Sequence, residues 1–164
     1  MLSSIQMKIK IILLFTFIIP FQLIAQNEIV CPQANLSFKS TGKLTQYDVE
    51  LEDVYGYEND NYAVDIEVVS LLEESSTFND NIRDGAFEIA NDMEFEEVTD
   101  GGKIPLINHA HYVSAYEIEE GVKIPVFIIA IIDASRGLAY EITVYCYDLN
   151  ETEGQLIVNS FKLL

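Results

Sequence analysis

Between Ile124 and Asp133 the chain carries Val126-Phe127-Ile128-Ile129-Ala130-Ile131-Ile132, seven apolar residues without interruption. The run is too short for an ordinary helix and rich in β-branched residues, so it reads as a strand. Successive side chains of a strand point to opposite faces. A strand apolar at every position therefore needs cover on both sides, which places it centrally in a sheet with other layers above and below.

The neighbouring segments supply partners for that strand. Ser135-Arg136-Gly137 turns the chain into Leu138 to Tyr147, a second strong strand. On the other side, Lys103 to Ile107 joins His109 to Glu117 as strand sequence, and Glu119-Glu120-Gly121 forms the turn before Ile124. Asp100-Gly101-Gly102 reads as a break. Lys-Ile-Pro occurs at 103–105 and again at 123–125, but nothing downstream matches, so these are two strand entries and no repeat.

Upstream, Asn35 to Phe38 is a short first strand. From Tyr47 to Tyr57, Val49 and Leu51 alternate with Asp48, Glu50 and Glu52, the pattern of a half-buried strand. Glu58-Asn59-Asp60-Asn61 is a turn, and Tyr62, Val64, Ile66 and Val68 continue the alternation inward, which completes a hairpin with an acidic outer face. The period then changes. Phe78, Ile82, Ala86, Ile89 and Met93 follow at helical spacing, so a helix is predicted over 78–93, with Ser76 or Thr77 as N-cap and Asp80 as its capping-box partner. A last helix, capped by Asp148 or Asn150, is predicted to run to about Phe161 with Leu156, Ile157, Ser160 and Phe161 facing in.

After the short first strand, a hairpin, a helix, three or four strands and a closing helix make an α+β fold, a mainly antiparallel sheet with helices packed on it. The strand Gly137-Leu138-Ala139-Tyr140-Glu141-Ile142-Thr143-Val144 leads through a short acidic loop to a helix ending Asn159-Ser160-Phe161-Lys162. In this order of elements, over most of residues 35–162, the chain resembles the PsbP-like fold. That fold is an α/β/α sandwich found in photosynthetic oxygen-evolution proteins, Ran-binding proteins and many small exported bacterial proteins. The resemblance implies a non-catalytic binding or assembly role and carries no site residue with it.

The first residues read as a targeting signal. Lys8 and Lys10 precede the apolar stretch Ile11 to Ile19, Pro20 breaks it, and Ala25 offers a small residue for cleavage, with Met7 as a second candidate start. As a membrane anchor, Ile11 to Ala25 would reach only about 23 Å, short of a hydrocarbon core of ~30 Å. Lipid attachment at Cys31 is disfavoured by Val30 before it. Residues 1–25 are accordingly expected to be a signal peptide and 26–164 a single acidic domain, secreted or periplasmic, with no stable membrane insertion after cleavage. That domain has seven basic against twenty-seven acidic residues, a net charge of −20. Such a balance argues against nucleic acid as a partner, since phosphate contacts need clustered Lys and Arg.

Cys31 and Cys146 are the only cysteines. In an oxidising compartment they are expected either to form a disulfide across a loop of about 115 residues, worth roughly 4–5 kcal/mol, or to lie as two separately buried thiols. His109 and His111, also the only ones, share a strand face and with nearby carboxylates form a candidate zinc or copper site; exposed strand or loop histidines are the alternative. The acidic turn at 58–61 lacks the Gly and the twelfth-position Glu of a calcium loop. Tyr55, Tyr57, Tyr112 and Tyr116 are candidates for lining a cleft, against ordinary packing on a sheet.

None of the common catalytic motifs occurs: no Gly-x-Ser-x-Gly, His-Glu-x-x-His, phosphate-binding glycine loop or Ser-x-x-Lys. The expectation is an exported, non-enzymatic binding or accessory domain without a cofactor. Its partner would be a protein or a small ligand in the cell envelope or outside the cell. A metal-binding protein and a hydrolase with an unrecognised site are the alternatives.

Overall fold

The computed structural model describes residues 26–47, 49, 51, 53–71 and 81–164. The expected signal segment, the proposed Ser76 and Thr77 cap, Phe78, and the acids Asp48, Glu50 and Glu52 lie outside the described residues. The order is β1 (Asn27–Cys31), β2 (Leu36–Ser40), β3 (Thr45–Tyr47), β4 (Val54–Glu58), β5 (Tyr62–Ser70), α1 (Ile82–Asp92), β6 (Glu96–Lys103), β7 (Ala110–Glu119), β8 (Val122–Asp133), β9 (Leu138–Cys146), α2 (Glu151–Val158) and β10 (Lys162–Leu163). Seven strands form one antiparallel sheet in the order β3-β4-β5-β9-β8-β7-β6, and β1-β2-β10 form a small second sheet. The fold is α+β, as the element pattern implies. No helix among the described residues is long and apolar enough to cross a membrane.

The apolar run lies where its composition demands. β8 pairs with β9 on one side and β7 on the other, and Ile124 through Ile131 are buried without a gap. Its two faces enter two cores. Val126, Ile128 and Ala130 meet Ala86, Ile89 and Ala90 of α1. Phe127, Ile129 and Ile131 meet the second layer, built from α2 and the small sheet, where Phe161 stacks on Phe38 with ring centres 4.9 Å apart. Each fully buried aliphatic or aromatic side chain contributes about 1.5–3 kcal/mol, so two cores sharing one strand hold three layers together.

Turns are set by local chemistry. Glu120 and Gly121 both take positive φ, 50° and 83°, the two-residue primed turn that matches strand twist. Asn59 Oδ1 accepts from the backbone N–H groups of Asn61 and Tyr62 and so closes the β4–β5 hairpin. Asp133, a buried carboxylate, accepts from Ser135 N, Ser135 Oγ and Arg136 Nη1, and Arg136 Nη2 donates to the Leu164 carbonyl.

Several expectations are corrected. The strand read from Tyr47 to Tyr57 is two strands, because Asp53 takes a φ of 61° and the chain folds back, pairing Tyr47 with Gly56; Leu51, expected inward, is 66% exposed. Asn81 caps the described helix, its side chain accepting from Arg83 N, and Met93 at the far end is exposed. Asp100-Gly101-Gly102 does not end a strand. It forms an irregularity within β6, whose register shifts at Glu96/Thr99 and at Asp100/Gly102. Lys103 to Ile107 does not continue into β7, since residues 105–109 turn. The last helix stops at Val158, leaving Leu156 exposed, while Phe161 still reaches the core and the chain ends in β10.

The two cysteines are free and fully buried. They have different surroundings: Cys31 meets the Tyr57 hydroxyl, whereas Cys146 sits beneath α2. Burial pushes the Cys146 thiol up to about 12, and Asp148, Glu151 and Glu153 add to the effect. The disulfide is thus replaced by the alternative reading, two separate core thiols. Alkylation in denaturant followed by intact mass measurement should count two thiols, with neither labelled in the folded protein.

Helix α2 reaches the sheet only because residue 154 lacks a side chain. A Cβ at Gly154 would collide with Cys146 Sγ and the Phe127 ring. Gly154→Ala should therefore destabilise the fold by roughly 1–3 kcal/mol, read from urea unfolding, and adding Cys146→Ala should recover part of the loss.

Candidate functional site

On the face covered by α2, the helix reaches only part of β7 and β6, and a groove remains beside its first turn. Two cavities of about 310 and 320 Å³ share Ser114, Phe127 and Glu151 and together form this groove. Strand parity builds its floor. Tyr112, Ser114 and Tyr116 alternate along β7 onto one face, next to Phe127 of β8. Helix α2, capped by Asn150, brings Glu151, Thr152 and Gln155 to one wall. The edge strand β6 supplies Glu97, Thr99 and Gly101 to the other.

The polar groups of the groove are held in place. Tyr116 donates to Glu151 Oε1 at 2.8 Å, and Gln155 Nε2 donates to the Tyr112 hydroxyl at 2.9 Å. Thr99 and Ser114 hydroxyls meet at 2.7 Å across the β6–β7 pair. The carboxylate acceptor raises the Tyr116 phenol above its usual value, because ionising it would set two negative charges together. Lys123 lies over the Tyr116 ring and pairs with Glu97. The Tyr112 ring covers Gly101, where any Cβ would overlap it, so the glycine read as a break is what lets the aromatic lie flat on an edge strand. Hydroxyls, an amide, two carboxylates and aromatic faces suit recognition through hydrogen bonds and stacking.

The four tyrosines separate into two pairs. Tyr112 and Tyr116 share the groove. Tyr55 and Tyr57 lie on β4, with Tyr57 buried against Phe38 and Tyr55 packed at the margin of the same core. Ordinary packing accounts for these two. Ser114, Thr99, Phe127, Glu151 and Gln155 went unread in the sequence. Ser114 was legible in principle, since the parity that pairs Tyr112 with Tyr116 puts residue 114 between them. The α2 residues were not, because nothing in the sequence says where a helix crosses a sheet.

The histidines are placed differently from each other. His109 is exposed in the turn before β7, while His111 is buried within the strand. His111 Nε2 lies 2.7 Å from Asp100 Oδ1, and Asp100 Oδ2 accepts from Arg83 Nε at 2.7 Å. The three form a clamp tying the start of α1 to β6 and β7. Among the described residues no three His, Cys, Asp or Glu side chains converge as a metal site would need.

Hydrogen bonds from Arg83 and then His111 hold the Asp100 carboxyl below the usual carboxylate range. A depressed folded-state value contributes stability above the unfolded value and loses it as pH falls through the folded one. The urea midpoint should therefore fall on acidification below about pH 4, and Asp100→Asn should lower it at neutral pH while flattening that acid limb.

No protein-family model matches the chain, and no curated protein does. Solved structures do. The Ran-binding protein Mog1p of Saccharomyces cerevisiae superposes with a TM-score of 0.57 at 7% identity, over 84% of this chain and 95% of that one. A protein of Bacteroides thetaiotaomicron superposes with a TM-score of 0.55 at 14% identity, over 84% of this chain and 48% of that one. At such identities the likeness is one of fold: the chain has the fold of Mog1/PsbP-like proteins.

Proposed function

We propose that the chain is an exported, non-enzymatic binding or accessory domain of PsbP-like type, engaging a protein partner in the cell envelope or outside the cell through the Tyr112–Tyr116 groove. The observation that carries this reading is the groove itself. Its aromatic and hydrogen-bonding groups are fixed by partners inside the protein, so they meet a ligand without further ordering, which reduces the entropic penalty of association. The fold shared with a protein described as Ran-binding supports a binding role. Export rests on the basic residues, apolar stretch and small residue of positions 8–25.

Two measurements test the reading. Residues 26–164 used as bait against envelope extract should retain a partner that the Tyr116→Ala and Glu151→Ala variants lose. Equal capture by all three, or capture by none, would contradict the groove. Terminal sequencing of exported protein should begin at Gln26, and an intact leader on protein kept in the cytoplasm would contradict export.

A further inference from the structure

Cleavage after Ala25, the part of the export reading on which the following inference rests, leaves Gln26 as the first residue of the domain. A glutamine in that place carries its own electrophile. Its α-nitrogen can reach the side-chain amide carbon Cδ, and attack there closes a five-membered lactam. The neighbouring positions lack this property. Ala25 has no amide, and Asn27 would have to close a strained four-membered ring. The reaction is therefore specific to one cleavage position.

The structure leaves Gln26 free to react. The β1–β2 ladder begins one residue later, with Asn27 opposite Ser40, and runs to Cys31 opposite Leu36. Gln26 itself is exposed and belongs to no strand. Among the described residues it has no hydrogen-bonding or ionic partner. Chain ends outside a ladder open at a free-energy cost near zero, so amine and amide can meet without disturbing β1. An α-amino group titrates near pH 8, which leaves roughly a tenth of it as the uncharged nucleophile at neutral pH.

From the position of the cut, the ring size and the freedom of Gln26, we infer that the exported domain carries pyroglutamate at residue 26. The α-nitrogen bonds to Cδ and the Cδ–Nε2 bond breaks. The amide nitrogen leaves as ammonia, taking up the proton that the α-nitrogen gives up. No oxidant or co-reactant enters. The lactam removes the α-ammonium, the group by which a chain end is captured. The end so sealed is that of β1, which is held by β2 alone, buries Cys31 in the core and packs Ile29 against it. Trimming from a free amine would enter the ladder after a single residue.

Mass spectrometry of protein recovered outside the cytoplasm tests the inference. Free amines of the intact protein are first acylated, and the chain is then unfolded and cut after Phe38 with chymotrypsin. The peptide 26–38 should lack an acyl group and be one ammonia lighter than its sequence requires, with fragmentation placing the loss on residue 26. An acylated peptide beginning at Gln26 would overturn the inference while leaving cleavage after Ala25 intact. A different first residue would overturn the cleavage reading and the inference with it. Freshly prepared 26–164 with a free Gln26 should lose ammonia at a rate within about twofold of the synthetic peptide 26–39, with its urea midpoint unchanged. A rate slower than that in the folded protein would overturn the freedom of Gln26 on which the inference stands. Gln26→Glu, whose carboxylate is a far poorer acceptor, should keep an acylatable amine. An aminopeptidase should shorten that variant and leave the exported wild-type end in place; equal shortening of both would overturn the inference.

Discussion

A strand with no polar side chain between Ile124 and Ile132 cannot tolerate water on either face, and β8 is such a strand. Its burial fixes the number of layers: α1 must cover one face and α2 with the small sheet the other. β9 shares the burden, sending Tyr140, Ile142 and Val144 into the core beneath the small sheet and Ala139 beneath α1. Close packing then dictates small residues where elements cross. Gly154 lets α2 down onto Cys146 and Phe127, and Ala86 and Ala90 let α1 down onto the other face. The groove is what remains where the cover given by α2 ends.

What the sequence made legible follows from which signals are local. β8, β9 and the turns at Glu120-Gly121 and Asn59 were readable because period and turn chemistry act over a few residues. The small sheet was not, because β1 and β10 are short and β10 pairs with β2 only through contacts distant in sequence. The segment after Tyr47 misled for a related reason. Its alternation is genuine, but the left-handed backbone at Asp53 reverses the chain, and parity carries no information about reversal. Half of the aromatic site was visible in the shared parity of Tyr112 and Tyr116. The other half depends on where α2 crosses the sheet, which tertiary packing decides.

Charge is distributed with some order. The cations the domain has are largely engaged: Arg83 with Asp100, Lys123 with Glu97, Arg136 with Asp133 and Lys162 with Glu28. These pairs fasten element ends, and exposed pairs of this kind contribute little individually. The excess of acid therefore falls on surfaces they leave untouched, and it gives the molecule a field that attracts cationic ligands from a distance before any contact forms.

The small sheet has a temporal consequence. β1 is the first described strand, β10 ends one residue short of the last, and both are held by β2 alone. A chain made from its amino end onward can form the β1–β2 hairpin early, yet it cannot close that layer over Phe38 until Phe161 and the two residues after it have emerged. The hydrophobic face of β8 and β9 beneath the small sheet thus stays open until residues 161–163 are in place. Closure of this layer therefore depends on a pairing between segments more than 120 residues apart, which slows its formation relative to the local hairpins.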